Sequence, residues 1–236
     1  MARSAFFFLP AAMLGVLLAG CSQSGPRAKS VGRSKAPSYD SPKAVLDTAI
    51  AAWANGDYQT FTNCLTPESH DFMAGIFVLS LASMAMLDQM PATAWGIGTL
   101  LGDTEAADER RALEKWKAAK PKLLEVLKKN GWTEDKLPGP NRAPQINSAS
   151  DFSTLAEPIR EKAAFVVEVY ETLDSYGLVA PEDGMFSPDS ELVDLRISET
   201  TATGALSNKE LGDAFGAPIR FRKVDDRWLI HVGTGY

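Results

Sequence analysis

Few side chains in this chain have the type and spacing that chemistry needs. Glu68, His70 and Asp71 stand close together and could offer oxygen and nitrogen ligands to a metal. They directly follow Thr66-Pro67, where carboxylates favour the positive end of a new helix, so a first-turn acidic cap is expected there instead of a metal site. His231, the second of the two histidines, is far away in sequence and alternates with apolar positions. Proton transfer needs a carboxylate and a hydrogen-bond donor held together. Asp194, Tyr170 and Tyr176 are of the right types, but no motif gives them those roles. No G-x-S-x-G or Walker sequence occurs, and the glycines at 96, 98 and 102 have one residue too many for a dinucleotide loop. No catalytic residue, cofactor or metal is assigned, and the expectation leans to a protein that is not an enzyme.

Two cysteines remain to be placed. The neighbours of Cys64 (Thr62, Asn63 and Leu65) include no cation to lower its pKa, so a small buried residue is expected. Cys21 closes the run Leu18-Ala19-Gly20-Cys21, after the uncharged apolar stretch from Phe6 to Leu17. This run resembles the lipobox of bacterial lipoproteins. The resemblance implies cleavage between Gly20 and Cys21, a diacylglyceryl group on the Cys21 thiol and acylation of the new amino group, palmitate being a typical chain. Two or three acyl chains, at roughly 0.8 kcal/mol per buried methylene, make a durable anchor. The apolar region from Ala5 to Ala19 is shorter than the ~20 residues that a membrane span needs. Ser22 after the cysteine, in a cell with two membranes, would resemble an outer-membrane sorting signal. With Cys21 carrying lipid, Cys64 is left alone and no intrachain disulfide forms.

Residues 1–20 are thus expected to be a lipoprotein signal peptide and 21–40 the anchor with its linker. Arg27, Lys29, Arg33 and Lys35 meet no acid before Asp40, so this stretch reads as a tether, its charges serving either solubility or contact with anionic headgroups. The chain as a whole carries a formal charge of -6, which argues against nucleic-acid binding. The location expected is the cell envelope, facing the periplasm or exterior.

Residues 41–236 read as one α+β domain, helices first and an antiparallel sheet last. Ser41-Pro42 and Thr66-Pro67 each pair a cap with a first-turn proline, and Tyr58 to Leu65 forms a short helix between the two longer ones they open. Val45, Leu46, Ala49, Ile50 and Trp53 share one face of the first, which Asn55-Gly56 ends. Phe72 to Leu87 is free of charge, and after Pro91 a second uncharged run reaches Leu101. A helix apolar on all sides must be surrounded. Burial in the core is expected, with a lipid-facing or ligand-lining surface as the alternative, for which the methionines 73, 84, 86 and 90 would be suited. Asp103 to Asn130 is helical, and Pro121 should break or bend it. Its lysines at 115, 117, 120, 122, 128 and 129 are expected to form a solvated face and not an anion-binding patch. Residues 131–150 read as a loop, Glu157-Pro158 as the start of a helix ended by Gly177, and four strands follow from Leu192, Thr200, Pro218 and Trp228.

Two segments carry a second likeness. Ser41-Pro42-Lys43-Ala44-Val45, then Ala49, Trp53, Gly56-Asp57-Tyr58, Phe61 and Leu65-Thr66-Pro67-Glu68-Ser69, resemble the first helices of the nuclear transport factor two-like superfamily. Phe221 to Ile230, with a short acidic turn before Trp228, is similar to its last hairpin. The resemblance implies a curved sheet wrapped around a long helix as a cone. This chain departs from the pattern by the largely helical stretch of about 70–190, which would be an insertion. The likeness does not decide function, because such a fold hosts enzymes, binders and structural modules alike. The expectation is a lipid-anchored envelope protein that binds a protein partner or an apolar small molecule without catalysis. A cone-fold hydrolase or isomerase and a purely structural module are the alternatives.

Overall fold

The computed structural model describes residues 37–87, 103–133, 148, 150–179, 186, 188–208 and 217–233. Among these residues six helices precede four strands, α1 Pro42–Ala54, α2 Tyr58–Asn63, α3 Pro67–Leu87, α4 Asp103–Lys129, α5 Ser150–Leu155 and α6 Lys162–Ser175, then β1 Ser190–Ile197, β2 Thr201–Asn208, β3 Ala217–Val224 and β4 Arg227–His231. The fold is α+β, as the change of period predicts.

The caps lie where backbone chemistry puts them. Ser41 is extended and its Oγ accepts from the Ala44 N–H at 3.1 Å, with Pro42 in the first turn. Gly56, at φ 68, supplies the left-handed residue that ends this part of the chain. Asp57 then caps α2 by accepting from the Thr60 N–H at 3.0 Å. In α3 no residue from Ser69 to Leu81 is exposed, and Met73, Ala74, Phe77, Val78 and Leu81 are buried. The uncharged helix is surrounded by protein this far. Met84 and Met86 have side chains outside the described set, and Met90 and the run to Leu101 lie outside the described residues.

Two expectations about helices need correction. Pro121 neither splits nor ends α4, which runs unbroken from Asp103 to Lys129. Pro121 and Lys117, four residues earlier, are both exposed. The carbonyl that loses its N–H partner therefore faces water, which lowers the cost of an internal proline. Glu157-Pro158 does not open α6, which begins at Lys162. Ala156 and Ile159 are buried and pin a tight turn, closed by the Ile159 N–H on the Ala156 carbonyl at 2.9 Å. The six-residue α5 falls partly in the stretch expected to be loop; Phe152 anchors it against α3.

The sheet is an antiparallel meander of order β1-β2-β3-β4. Asp225 and Asp226, at φ 47 and 61, form the two-residue β3–β4 turn, whose twist suits the strands on either side. Ile219, Phe221 and Ile230 turn inward, Phe221 and Ile230 with no exposed area, and α1 packs on β4. A bulge shifts the β1–β2 register between Val193 and Arg196, around Asp194 at φ 52. The outer margin of β4 is covered. Its Trp228 N–H donates to the Tyr39 carbonyl at 2.9 Å, its Ile230 N–H to the Cys64 carbonyl at 2.8 Å, and the Ile230 carbonyl accepts from the Thr66 N–H at 2.9 Å. No strand lies beyond β1 at the opposite margin among the described residues.

Candidate functional site

The start of α3 and the end of β4 bring together residues that the sequence keeps far apart. Thr66 closes the turn after α2, and its Oγ lies 2.8 Å from Ser69 Oγ and 3.0 Å from His231 Nδ1. Thr66 and Ser69 are fully buried. Ser69 Oγ also accepts from the Val232 N–H at 2.8 Å. These hydroxyls join a helix to a strand, and their burial leaves no room for a substrate at either oxygen.

Beside this joint is an open groove of about 380 Å³, lined by Asn63, Leu65, Pro67, His70, Val224, Asp225, Arg227 and Leu229. The His70 Nε2 lies 2.9 Å from the Thr62 carbonyl oxygen. A carbonyl only accepts, so this nitrogen is the donor. The Arg227 guanidinium lies 4.1 Å from the centre of the Tyr39 ring, a cation–π contact. Burial raises the Tyr39 phenol, as does nearby Cys64, while Arg227 pulls the other way. The groove thus offers an imidazole, a guanidinium and a carboxylate around four apolar side chains, a lining of mixed polarity.

The triplet expected to be an acidic cap does not converge. Glu68 Oε1 pairs with Arg222 Nη1 at 2.8 Å, and Asp71 Oδ1 with Lys162 Nζ at 3.2 Å. Partial burial works to raise the Glu68 carboxyl, but its backbone hydrogen bond and Arg222 outweigh that and leave it lowered. No group of three His, Cys, Asp or Glu side chains is placed to hold a metal ion among the described residues. Tyr170 lies in an aromatic cluster, its ring 5.1 Å from those of Trp53 and Phe77 and stacked 5.4 Å from Tyr58; burial raises its phenol. Asp194 is exposed on the sheet margin and Tyr176 is half-buried. The structure brings no two of Asp194, Tyr170 and Tyr176 into one site.

Cys64 is buried and its thiol donates to the Thr60 carbonyl at 3.3 Å. Burial pushes its pKa up to about 12, against a smaller lowering by Tyr39 and Arg227, which fits the expected inert role. The lysines of α4 are exposed at 115, 117, 122, 128 and 129. Lys129 bonds Glu168 of α6 at 2.7 Å, Lys122 bonds Glu125 at 2.9 Å and Lys115 donates to the Gly177 carbonyl. Gly20 and Cys21 lie outside the described residues.

The remaining surface of note is β1. Among the described residues Val193, Leu195 and Ile197 are the large apolar side chains left most open, 37%, 36% and 59% exposed. Alternation alone would put Val193 and Ile197 on one face; across the bulge at Asp194, Val193 pairs with Ala205 and Ile197 with Ala202, so the two stand on opposite faces of this marginal strand. No family model, no curated protein and no solved structure matches this chain.

Proposed function

We propose that the chain is a lipid-anchored cell-envelope protein that acts by binding a partner protein, without catalysis, at the open margin of its sheet. The anchor rests on Leu18-Ala19-Gly20-Cys21, and no described helix is long and apolar enough to cross a membrane. The observation that carries the binding role is the marginal strand β1 with its exposed Val193, Leu195 and Ile197, of which Val193 and Ile197 stand on opposite faces across the bulge. An extended segment of a partner that adds beside β1 would cover these side chains and use backbone hydrogen bonds for affinity. The resemblance to the nuclear transport factor two-like superfamily belongs to the same proposal. Its support is that the two segments that carry it, 41–69 and 221–230, pack on one another through α1, the Leu65–Ile230 bridge and β4.

A photo-crosslinking residue placed at Ile197 in cells tests this reading. An adduct of one discrete mass, missing when the same residue stands at Lys117 on α4, is expected. Crosslinks at 193, 195 and 197 that give no adduct would remove the binding role from this margin.

A further inference from the structure

We propose that the partner segment received beside β1 is an antiparallel strand that sets Asp or Glu opposite Arg196 and an apolar side chain opposite Ile197. This partner chemistry presupposes the binding role proposed for the margin of β1. The backbone fixes which groups are on offer there. The Ser198 N–H donates to the Thr201 carbonyl at 2.8 Å and closes the β1–β2 hairpin. Successive residues of a strand turn their backbone groups to alternate sides, so those of Arg196 point to β2 and those of Ile197 to the open margin. An incoming antiparallel strand thus meets Ile197 in a hydrogen-bonded pair. Arg196 falls in the neighbouring pair without hydrogen bonds, where opposed side chains come closest.

The bulge decides which side chains go with these groups. Leu192 stands opposite Leu206 and Ile197 opposite Ala202, both buried positions, although β1 has one residue more than β2 between the two pairs. Strict alternation from Leu192 would have turned Arg196 to the core face. The extra residue sets it on the outer face instead, opposite the uncharged Thr203, and keeps Ile197 on the core face. Arg196 is exposed and, among the described residues, has no ion pair. The acids of this hairpin stand off its row: Asp194 in the bulge, Glu191 beyond it and Glu199 in the turn. Opposite charges stabilise a cross-strand pair and like charges destabilise it. A carboxylate opposite Arg196 therefore completes the outer face, and an apolar neighbour covers Ile197 on the other. A second copy of β1 offers no such match. Laid antiparallel about Arg196 it sets two guanidinium groups opposite each other, and laid about Ile197 it sets Ser198 opposite Arg196.

Crosslinking in cells from a photo-reactive residue at Ile197 of the full-length protein, repeated with Arg196→Lys and Arg196→Glu, tests the pairing. The peptide joined at 197 is expected to carry Asp or Glu next to its apolar contact residue. Arg196→Lys should keep the adduct, and Arg196→Glu should lower its yield at least several-fold at an unchanged urea midpoint. Replacing the partner's acid by Lys should restore the adduct in the Arg196→Glu chain. A joined peptide without an acid at that place, an adduct of two copies of this chain, or a yield that Arg196→Glu leaves unchanged overturns the pairing while the binding margin stands. No adduct from 193, 195 or 197 removes the margin and the pairing with it. Should Arg196→Glu fail to fold, Arg196→Gln removes the charge, and an unlowered yield counts against the pairing.

Discussion

The backbone of Phe152 crosses directly over Gly75, so closely that a Cβ there would collide with the Phe152 carbonyl. Helix α5 can reach α3 only because this one position lacks a side chain. In an exposed helix, Gly75→Ala would gain up to about 1 kcal/mol in helix propensity. Here the collision is with backbone, which cannot rotate away, and overpacking costs about 1–3 kcal/mol. The variant is expected to be less stable, read as a lower urea midpoint at unchanged slope; a higher midpoint would show that α5 does not dock on α3.

Trp228 is buried on β4, and its N–H holds the Tyr39 carbonyl. Trp228→Ala should cost about 3–5 kcal/mol, the range for truncating a large buried aromatic. Denaturant unfolding gives the number directly, and a loss below about 1 kcal/mol would contradict the packing of α1 on β4.

The Cys64 thiol is pushed up to about 12 from an ordinary 9.0, so it stays neutral in the folded chain at pH 8. The folded state keeps this proton more tightly than the unfolded one. Its contribution to stability is therefore complete below pH 9 and is lost as pH rises from there toward 12. A thiol reagent at pH 8 should modify Cys64 at the rate of unfolding alone, and a Cys64→Ala chain should lose part of the alkaline decline. Rapid labelling of the native protein would show that this part of the core is open.

Cys21→Ala should move the protein from the membrane pellet to the soluble fraction, because the proposed anchor depends on that thiol. Retention in the pellet after a salt wash would assign membrane attachment to another part of the chain.

Ile197→Lys is expected to leave stability within about 0.5 kcal/mol, as surface changes usually do, since the side chain is more than half exposed. The same variant should lose the crosslink formed from Val193. A stable variant that keeps the adduct would place the partner elsewhere.

How far the sequence could be read depended on the range of the interactions. Ser41-Pro42, Asn55-Gly56, Thr66-Pro67, Gly177 and Asp225-Asp226 act on their own backbone, and each begins or ends an element as expected. Pro121 was misleading because its cost depends on which side of α4 it faces, and helix burial is set by distant residues. Glu157-Pro158 has the composition of a helix start, but the burial of Ile159 turns the chain first. The joint at Thr66 was half visible: a cap is a local device, whereas the match of Ser69 and His231 spans the whole domain and no spacing rule predicts it. For the groove, Asn63 and Arg227 meet only because the Leu65–Ile230 bridge sets one strand beside the turn.

The two margins of the sheet are unequal, and this limits the stoichiometry of any strand-to-strand joining. Cys64 to Thr66 and Tyr39 already occupy the hydrogen-bonding side of β4. A second chain that joined through its own β1 would therefore meet a sheet closed at the far side and would close its own in turn. Growth of this kind ends at a pair, and a continuous sheet cannot spread from copy to copy.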